Sequence, residues 1–394
     1  MPFISFDQRG GFSRSFFNRV ETVDLICLLL IGTLFLSGRL RLTWAFGIYS
    51  LALFLSLAIA ITTDAQGEAF TAFAALMMAV LYYAVGRSIA EQKVLVKALL
   101  VGLLMSTLIE SVIVLHDYFL PKWFPTKNSN QVRGTFRSTA QLGAYGFTTA
   151  GILLSFGWVY FRSTWARALT LLAGVTSGFF VLASTRRAGM FALLLWIGLF
   201  LLCGLKNVSR RSYWVVVCCC IVGLLGLTLA STQVKNTHLF HRFYTAYEKV
   251  AEGESFTHDQ FYKAMDNLGM WFPFGVGVGQ SPQVMIHYEA HNGHLGVIVE
   301  QGLLGFIGYY GLWIPLMRRK WADSFGHYTT IIKLVSLSFV AAAVLFMIHA
   351  RLDRDRSFML FLGLIPLLKY CTDEVVKRVA RRNNSPKPQP ATEN

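Results

Sequence analysis

Apolar runs of about 17 to 25 residues recur along the chain, the length at which a helix crosses the ~30 Å hydrocarbon core of a bilayer. Inside lipid no water pairs with exposed backbone groups, and these runs lack the alternation of a membrane β-barrel, so only helices can form them. Hydropathy marks spans at 22–38, 43–62, 68–86, 94–119, 138–159, 167–184, 188–204, 213–230, 296–316, 331–348 and 357–369. The expected fold is an all-α polytopic membrane protein of about 11–12 transmembrane helices, forming one domain over 1–394. A single long extramembrane segment, 231–295, precedes the helix starting near 296. The tail over 383–394, rich in Asn, Pro and Ser, reads as disordered.

Charge orients the map. The net charge of +15 could suggest nucleic acid, but Lys and Arg sit mainly in short clusters between apolar runs, so no nucleic-acid partner is expected. Arg39 and Arg41, Arg87 with Lys93 and Lys97, Arg162 and Arg167, Lys206 with Arg210 and Arg211, Arg318 to Lys320 and the Lys377–Arg382 tail share one side, which is therefore cytoplasmic. Segment 231–295 falls outside, with loops 120–137 and 185–187 and the turn at 349–356. One feature conflicts: eleven crossings put the N-terminal stretch with Arg9, Arg14 and Arg19 outside too, which points to a short or re-entrant helix near the start. The first twenty residues lack a cleavage site behind an apolar run, so no removable signal is expected. The six cysteines lie in or beside apolar segments, three of them adjacent (Cys218, Cys219, Cys220), which suits neither a disulfide framework nor a thiol metal site.

The outer segment concentrates its chemistry at its end, in HYEAHNGH (287–294), where the chain re-enters the bilayer. Three readings compete. Asn292 can cap a membrane helix while the histidines sit at headgroup depth. His287, His291 and His294 with Glu289 could ligate a metal, but the pattern is not HExxH and no second cluster of Asp or His accompanies it. One histidine, with a free pKa of about 6.5, could take a proton from a hydroxyl.

The outer side also collects arginines. Arg186 and Arg187 in STRRAG form a pair at the top of two spans, and Arg133, Arg137 and Arg242 add to it, against the usual exclusion of cations from that side. An arginine at that depth must pair or hold an anion, and its planar fork suits phosphate, so a lipid pyrophosphate reached from outside is the expected ligand. The alternative is that these arginines bind lipid headgroups or pair with acids such as Asp353.

Four stretches, in order, resemble the bacterial O-antigen ligase and Wzy polymerase superfamily. They are GTFRSTAQLGAYG (134–146), STRRAG (184–189), WFPFGVGVGQ (271–280), and the HN pair followed nine residues later by Gly302 and Gly305 in EQGLLG. In place of the arginine that often precedes a Trp-containing amphipathic segment in that family, SFTHDQFYKAM offers His258 and Asp259, and Arg242 is the substitute candidate.

The resemblance implies an inner-membrane glycosyltransferase of the GT-C type with its active site at the periplasmic face. It implies an undecaprenyl-pyrophosphate-linked glycan as donor, membrane lipids as surroundings, and neither metal nor other cofactor. His291 would be the catalytic residue and Arg186 or Arg187 the pyrophosphate contact; Asn292, His294, Arg133 and Arg137 are secondary candidates. The acceptor hydroxyl would attack the anomeric carbon while His291 takes its proton and arginine stabilises the departing pyrophosphate, inverting the anomeric configuration. Lipid A-core is the preferred acceptor, as in an O-antigen ligase. A second lipid-linked glycan (polymerase) and a secreted protein (O-oligosaccharyltransferase) are the alternatives. A transporter or flippase of lipid-linked glycan is the alternative of another class; no internal repeat and polar groups at one face favour chemistry over passage.

Overall fold

A computed structural model describes residues 22–62, 66–124, 132–136, 139–157, 160–161, 163–184, 189, 192–198, 256–285, 292–314, 339–344, 346–347 and 351–367. Among these residues the structure is helical, with no strand. Its elements are α1 (Thr22–Leu36), α2 (Trp44–Ile61), α3 (Gln66–Ile89), α4 (Lys93–Phe119) and α5 (Thr139–Ile152), which runs on into a π-helical turn at Leu153–Gly157. Then come α6 (Thr164–Ala183), α7 (Phe256–Asp266), α8 (Leu268–Trp271), α9 (Ser281–Val284), α10 (Gly293–Gly311), a 3-10 turn at Leu352–Arg354 and α11 (Arg356–Leu364).

Among the described residues four stretches are long and apolar enough to cross a bilayer: Trp44–Ile61, Ala69–Ile89, Lys93–Phe119 and Thr164–Ala183. Their outward faces carry Phe54, Leu55, Met105, Val112, Leu172 and Val175, all exposed, a surface that lipid covers more favourably than water. Inward they close on a shared core, in which Phe147 stacks on Phe339 at 4.6 Å and Tyr49 meets Tyr309 at 5.5 Å.

Neighbouring helices alternate in direction, and polar contacts fix which ends coincide. Thr43, which caps α2 by accepting from the Phe46 amide, lies 3.3 Å from the Tyr83 hydroxyl, and the Arg41 amide donates to Ser88. The start of α2 therefore sits beside the end of α3, and α4 starts four residues after that end, at Lys93. Tyr160, just before α6, donates to the carbonyl of Lys93, so α6 starts there too. This end, with Arg41, Arg87, Lys93 and Arg167, is the basic end of the bundle. Helices α2, α4 and α6 all run away from it.

The first helix corrects the expected first crossing. Asp24 accepts from the Tyr82 hydroxyl, while after α1 the Leu40 amide donates to the Leu34 carbonyl and the Arg41 amide to Ser88, so the last turn of α1 lies near the end of α3. At 15 residues α1 is about 22 Å long, short of the ~30 Å of a bilayer core.

Candidate functional site

The glycine-rich loop and the helix after the histidine cluster form one unit. In an unbroken helix the amide of Leu303 would bond the carbonyl of Val299, but at Gly302 (φ 67, ψ −166) the helix breaks and that pairing is lost. The loop replaces it: Val276 donates to the Val299 carbonyl at 2.9 Å, Gly277 to Glu300 at 3.1 Å, and Leu303 donates to Pro273 at 2.8 Å. Ser56 of α2 adds a bond from its hydroxyl to the Glu300 carbonyl at 2.7 Å, so the Val299 and Glu300 carbonyls at the break are paired. Glycine is required at both faces of this contact. Gly302 and Gly275 have positive φ, and a Cβ on Gly275 would lie 2.6 Å from the Glu300 carbonyl oxygen.

The break also redirects the helix. His294 and Tyr310 are 16 residues apart, a separation of about 24 Å along a straight helix, yet their rings lie 5.9 Å apart and His294 Nδ1 contacts the Tyr310 hydroxyl. The halves before and after Gly302 therefore fold towards each other. The second half runs antiparallel to α2, with Gly308 packed on Tyr49 and Gly311 on Ala45. Its last turn thus approaches the basic end, and His294 is drawn down beside it. This corrects the expectation of a straight crossing over 296–316 that starts at the outer surface: the first turn of α10 lies inside the bundle.

A charged network fixes the bend. Glu300, fully buried, receives Arg351 through Nη1 at 3.1 Å and Nη2 at 3.0 Å, Arg354 Nη2 at 3.2 Å, and the Ser281 hydroxyl at 2.8 Å. Arg351 also donates to Asp353, through Nε at 3.0 Å and Nη2 at 2.9 Å. Gly296 makes room for it, since a Cβ there would lie 2.5 Å from Arg351 Cζ. Two carboxylates and two guanidiniums balance, which is how ionised groups persist in a low dielectric. Asp353, named as a possible partner in the alternative reading of the outer arginines, pairs with Arg351, and Leu352 and Asp353 in this turn are buried.

Of the residues expected to act, Asn292, His294 and Arg133 are described. Asn292 is the N-cap of α10, its side chain accepting from the Leu295 amide at 3.1 Å, which is the structural one of the three readings for that residue. His294 spends both ring nitrogens locally: Nε2 faces the Val344 carbonyl at 2.9 Å and Nδ1 faces Tyr310. Arg133 is half-buried beside Gly134 and Thr135, whose amide and hydroxyl both donate to the buried Glu110. His291, Arg186, Arg187, Arg242 and Arg137 lie outside the described residues, as do His287 and Glu289.

The four family-like stretches come together in two pairs. Loop 271–280 joins α10, as above. In the other pair the Val132 amide reaches the Ala183 carbonyl at 3.4 Å, and a Cβ on Gly143 would lie 2.7 Å from the Ser184 hydroxyl, so the stretch with GTF packs against the start of STRRAG. The contacts within both pairs lie at the ends of α2 and α6 opposite the basic end, where Gly277 meets Ala60, whereas the HN end of α10 folds back towards the basic end with His294. Sequence reasoning missed Glu300, Ser281, Arg351 and Arg354. A signal existed, because Glu300 is the one acidic residue within the apolar run 296–316 and an ionisable group in such a run needs a partner. Comparison with protein-family models, with curated proteins and with solved structures finds no match.

Proposed function

We propose that the chain is a membrane glycosyltransferase that moves a glycan from undecaprenyl pyrophosphate to an acceptor hydroxyl, with lipid A-core the favoured acceptor, as in an O-antigen ligase. One observation supports the reading: of the four stretches that resemble that family, the glycine loop packs on the Gly302 break of α10 and Gly143 packs on Ser184, both at the end of the bundle opposite the basic end, while the HN end of α10 folds back from there, bringing His294 to Tyr310. With the basic end cytoplasmic by the positive-inside rule, the opposite end faces the periplasm. In this reading His291, next to the cap of α10, takes the acceptor proton, and Arg186 or Arg187, which follow Ser184, hold the pyrophosphate as charge grows on it. In this reading the reaction lies within the bundle, near the first turn of α10, rather than on its rim. Binding donor and acceptor there in fixed orientation supplies a proximity contribution.

A transporter of lipid-linked glycan is the second reading, and the broken α10 with ionised groups inside the bundle favours it, since transporters use discontinuous helices at mid-depth. It also removes the argument that polar groups gather only at one face. Against it, the carbonyls freed at the break are taken by loop amides, and the four charges at Glu300, Arg351, Asp353 and Arg354 satisfy one another.

The test uses purified protein in proteoliposomes with isotope-labelled lipid-linked glycan and lipid A-core. Label transferred to acceptor, lost by roughly 100-fold or more in His291→Ala at unchanged donor binding, is the expected result. Donor crossing the bilayer with no product on any acceptor would replace the enzyme with the transporter.

A further inference from the structure

The exposed surface of α7, α8 and the turn after them is unlike that of a segment bathed in water. Phe261, Tyr262, Met265, Met270, Phe272 and Phe274 are each between 45% and 77% exposed. The opposite side of the same segment is already committed. Ala264 and Trp271 are buried with Val276, Val284, Leu295 and Val299 in a small core of their own, and the Trp271 indole donates to the Ala264 carbonyl at 2.7 Å. The segment is thus apolar both inwards and outwards. An outward apolar patch of this extent marks a contact surface.

Its height identifies what it contacts. Pro273 accepts from Leu303, a Cβ on Gly302 would lie 2.6 Å from the Phe274 carbonyl oxygen, and Val278 donates to the carbonyl of Ser56. Phe272 and Phe274 therefore sit within the length of α2, beside its exposed Phe54 and Leu55, and not beyond its end. Leu303, whose amide donates to Pro273, and Ile307 on the same half of α10 are exposed as well. A surface at that height, joined to faces of bilayer-crossing composition and rich in aromatic rings, has the character of an interfacial belt.

We infer that the face formed by Phe261, Tyr262, Met265, Met270, Phe272 and Phe274 is seated in the bilayer leaflet opposite the basic end, its aromatic side chains among the upper acyl chains. The expected depth is about 5–10 Å below the headgroup boundary, as for a helix lying in the interface. Segment 256–274, expected from sequence to be wholly extramembrane, is on this inference a membrane-seated collar beside the glycine loop. The inference rests on the bilayer reading and not on glycosyl transfer, so a chain inactive in every transfer assay would still show it.

The experiment places an environment-sensitive fluorophore on Phe274→Cys in a background without other cysteines, in lipid nanodiscs. It compares quenching by a doxyl-labelled phosphatidylcholine with quenching by aqueous iodide. Phe54→Cys serves as the lipid-facing reference and Glu91→Cys, exposed at the basic end, as the aqueous one. Phe274 should follow Phe54. If it follows Glu91 the face lies in water, a protein partner becomes its occupant, and the inference falls. A second measurement uses the unsubstituted chain in nanodiscs: a water-soluble oxidant should convert Met265 and Met270 to sulfoxide far more slowly than in the denatured chain. Equal rates would overturn the proposal as well.

Discussion

Replacing Arg351 by Met tests whether the charge network holds the bend in α10. The substitution keeps most of the side-chain volume and removes the guanidinium. Asp353 then loses the three hydrogen bonds it receives from Arg351, and Glu300 loses two, keeping those from Arg354 and Ser281. A balanced set of two acids and two arginines becomes one with an excess negative charge, and breaking a buried pair in this way costs about 3–5 kcal/mol. For a chain of this size that corresponds to a drop of roughly 4–6 °C in apparent melting midpoint, read by thermal denaturation in detergent at a fixed scan rate. Adding Asp353→Asn restores the balance, since Glu300 and Arg354 still pair. The double variant should therefore recover to within about 1–2 kcal/mol of the unsubstituted chain, although it carries more changes. A single variant that melts within a degree of wild type, or a double variant worse than the single, would refute the argument.

Two further substitutions probe the same helix. Gly302→Ala forces a Cβ into a backbone conformation at φ 67, ψ −166 that is nearly exclusive to glycine, and into the Phe274 carbonyl; it should cost about 1–3 kcal/mol or more in the same melting assay. Asn292→Ala removes the cap of α10 and should cost about 1 kcal/mol, while Asn292→Asp, whose carboxylate can accept from the Leu295 amide, should stay near wild type; equal loss in both would show that the cap is not what matters.

Hydropathy located α2, α3, α4 and α6 closely: the expected 43–62, 68–86, 94–119 and 167–184 appear as Trp44–Ile61, Gln66–Ile89, Lys93–Phe119 and Thr164–Ala183. Long apolar runs with basic flanks have little choice in a bilayer. Where the reading departs from the structure, the deciding interaction is distant in sequence. Segment 22–38 is apolar enough to suggest a crossing, but α1 covers only Thr22–Leu36, and Asp24 near its start meets Tyr82, 58 residues away. Helix α10 reads as a straight span because hydropathy averages over Gly302, and the bend is sustained by Pro273 and Val276 in the loop and by Arg351, 51 residues beyond Glu300. The cap at Asn292 was legible because capping is local. The three most specific expectations for the site, at His291, Arg186 and Arg187, lie outside the described residues and remain proposals for the assays.

The neutrality of the Glu300 network carries a consequence for the proposed chemistry. In a recess of low dielectric a departing pyrophosphate needs uncompensated positive charge, and preorganised donors there act more strongly than in water. Arg351 and Arg354 cannot supply it, because each is already committed to a buried carboxylate. The charge must come from other arginines, with Arg186 and Arg187 the first candidates by their place after Ser184. The two sets should separate in one experiment that measures donor binding and turnover per folded molecule. Arg351→Met with Asp353→Asn, once folded, should bind the lipid-linked donor as the unsubstituted chain does. Arg186→Lys or Arg187→Lys keeps a charge but loses the planar fork, and at least one should weaken transfer strongly while the protein still folds. Donor binding lost in the network variant and kept in both lysine variants would reverse the assignment, making the buried network the anion site and the paired arginines a feature of topology.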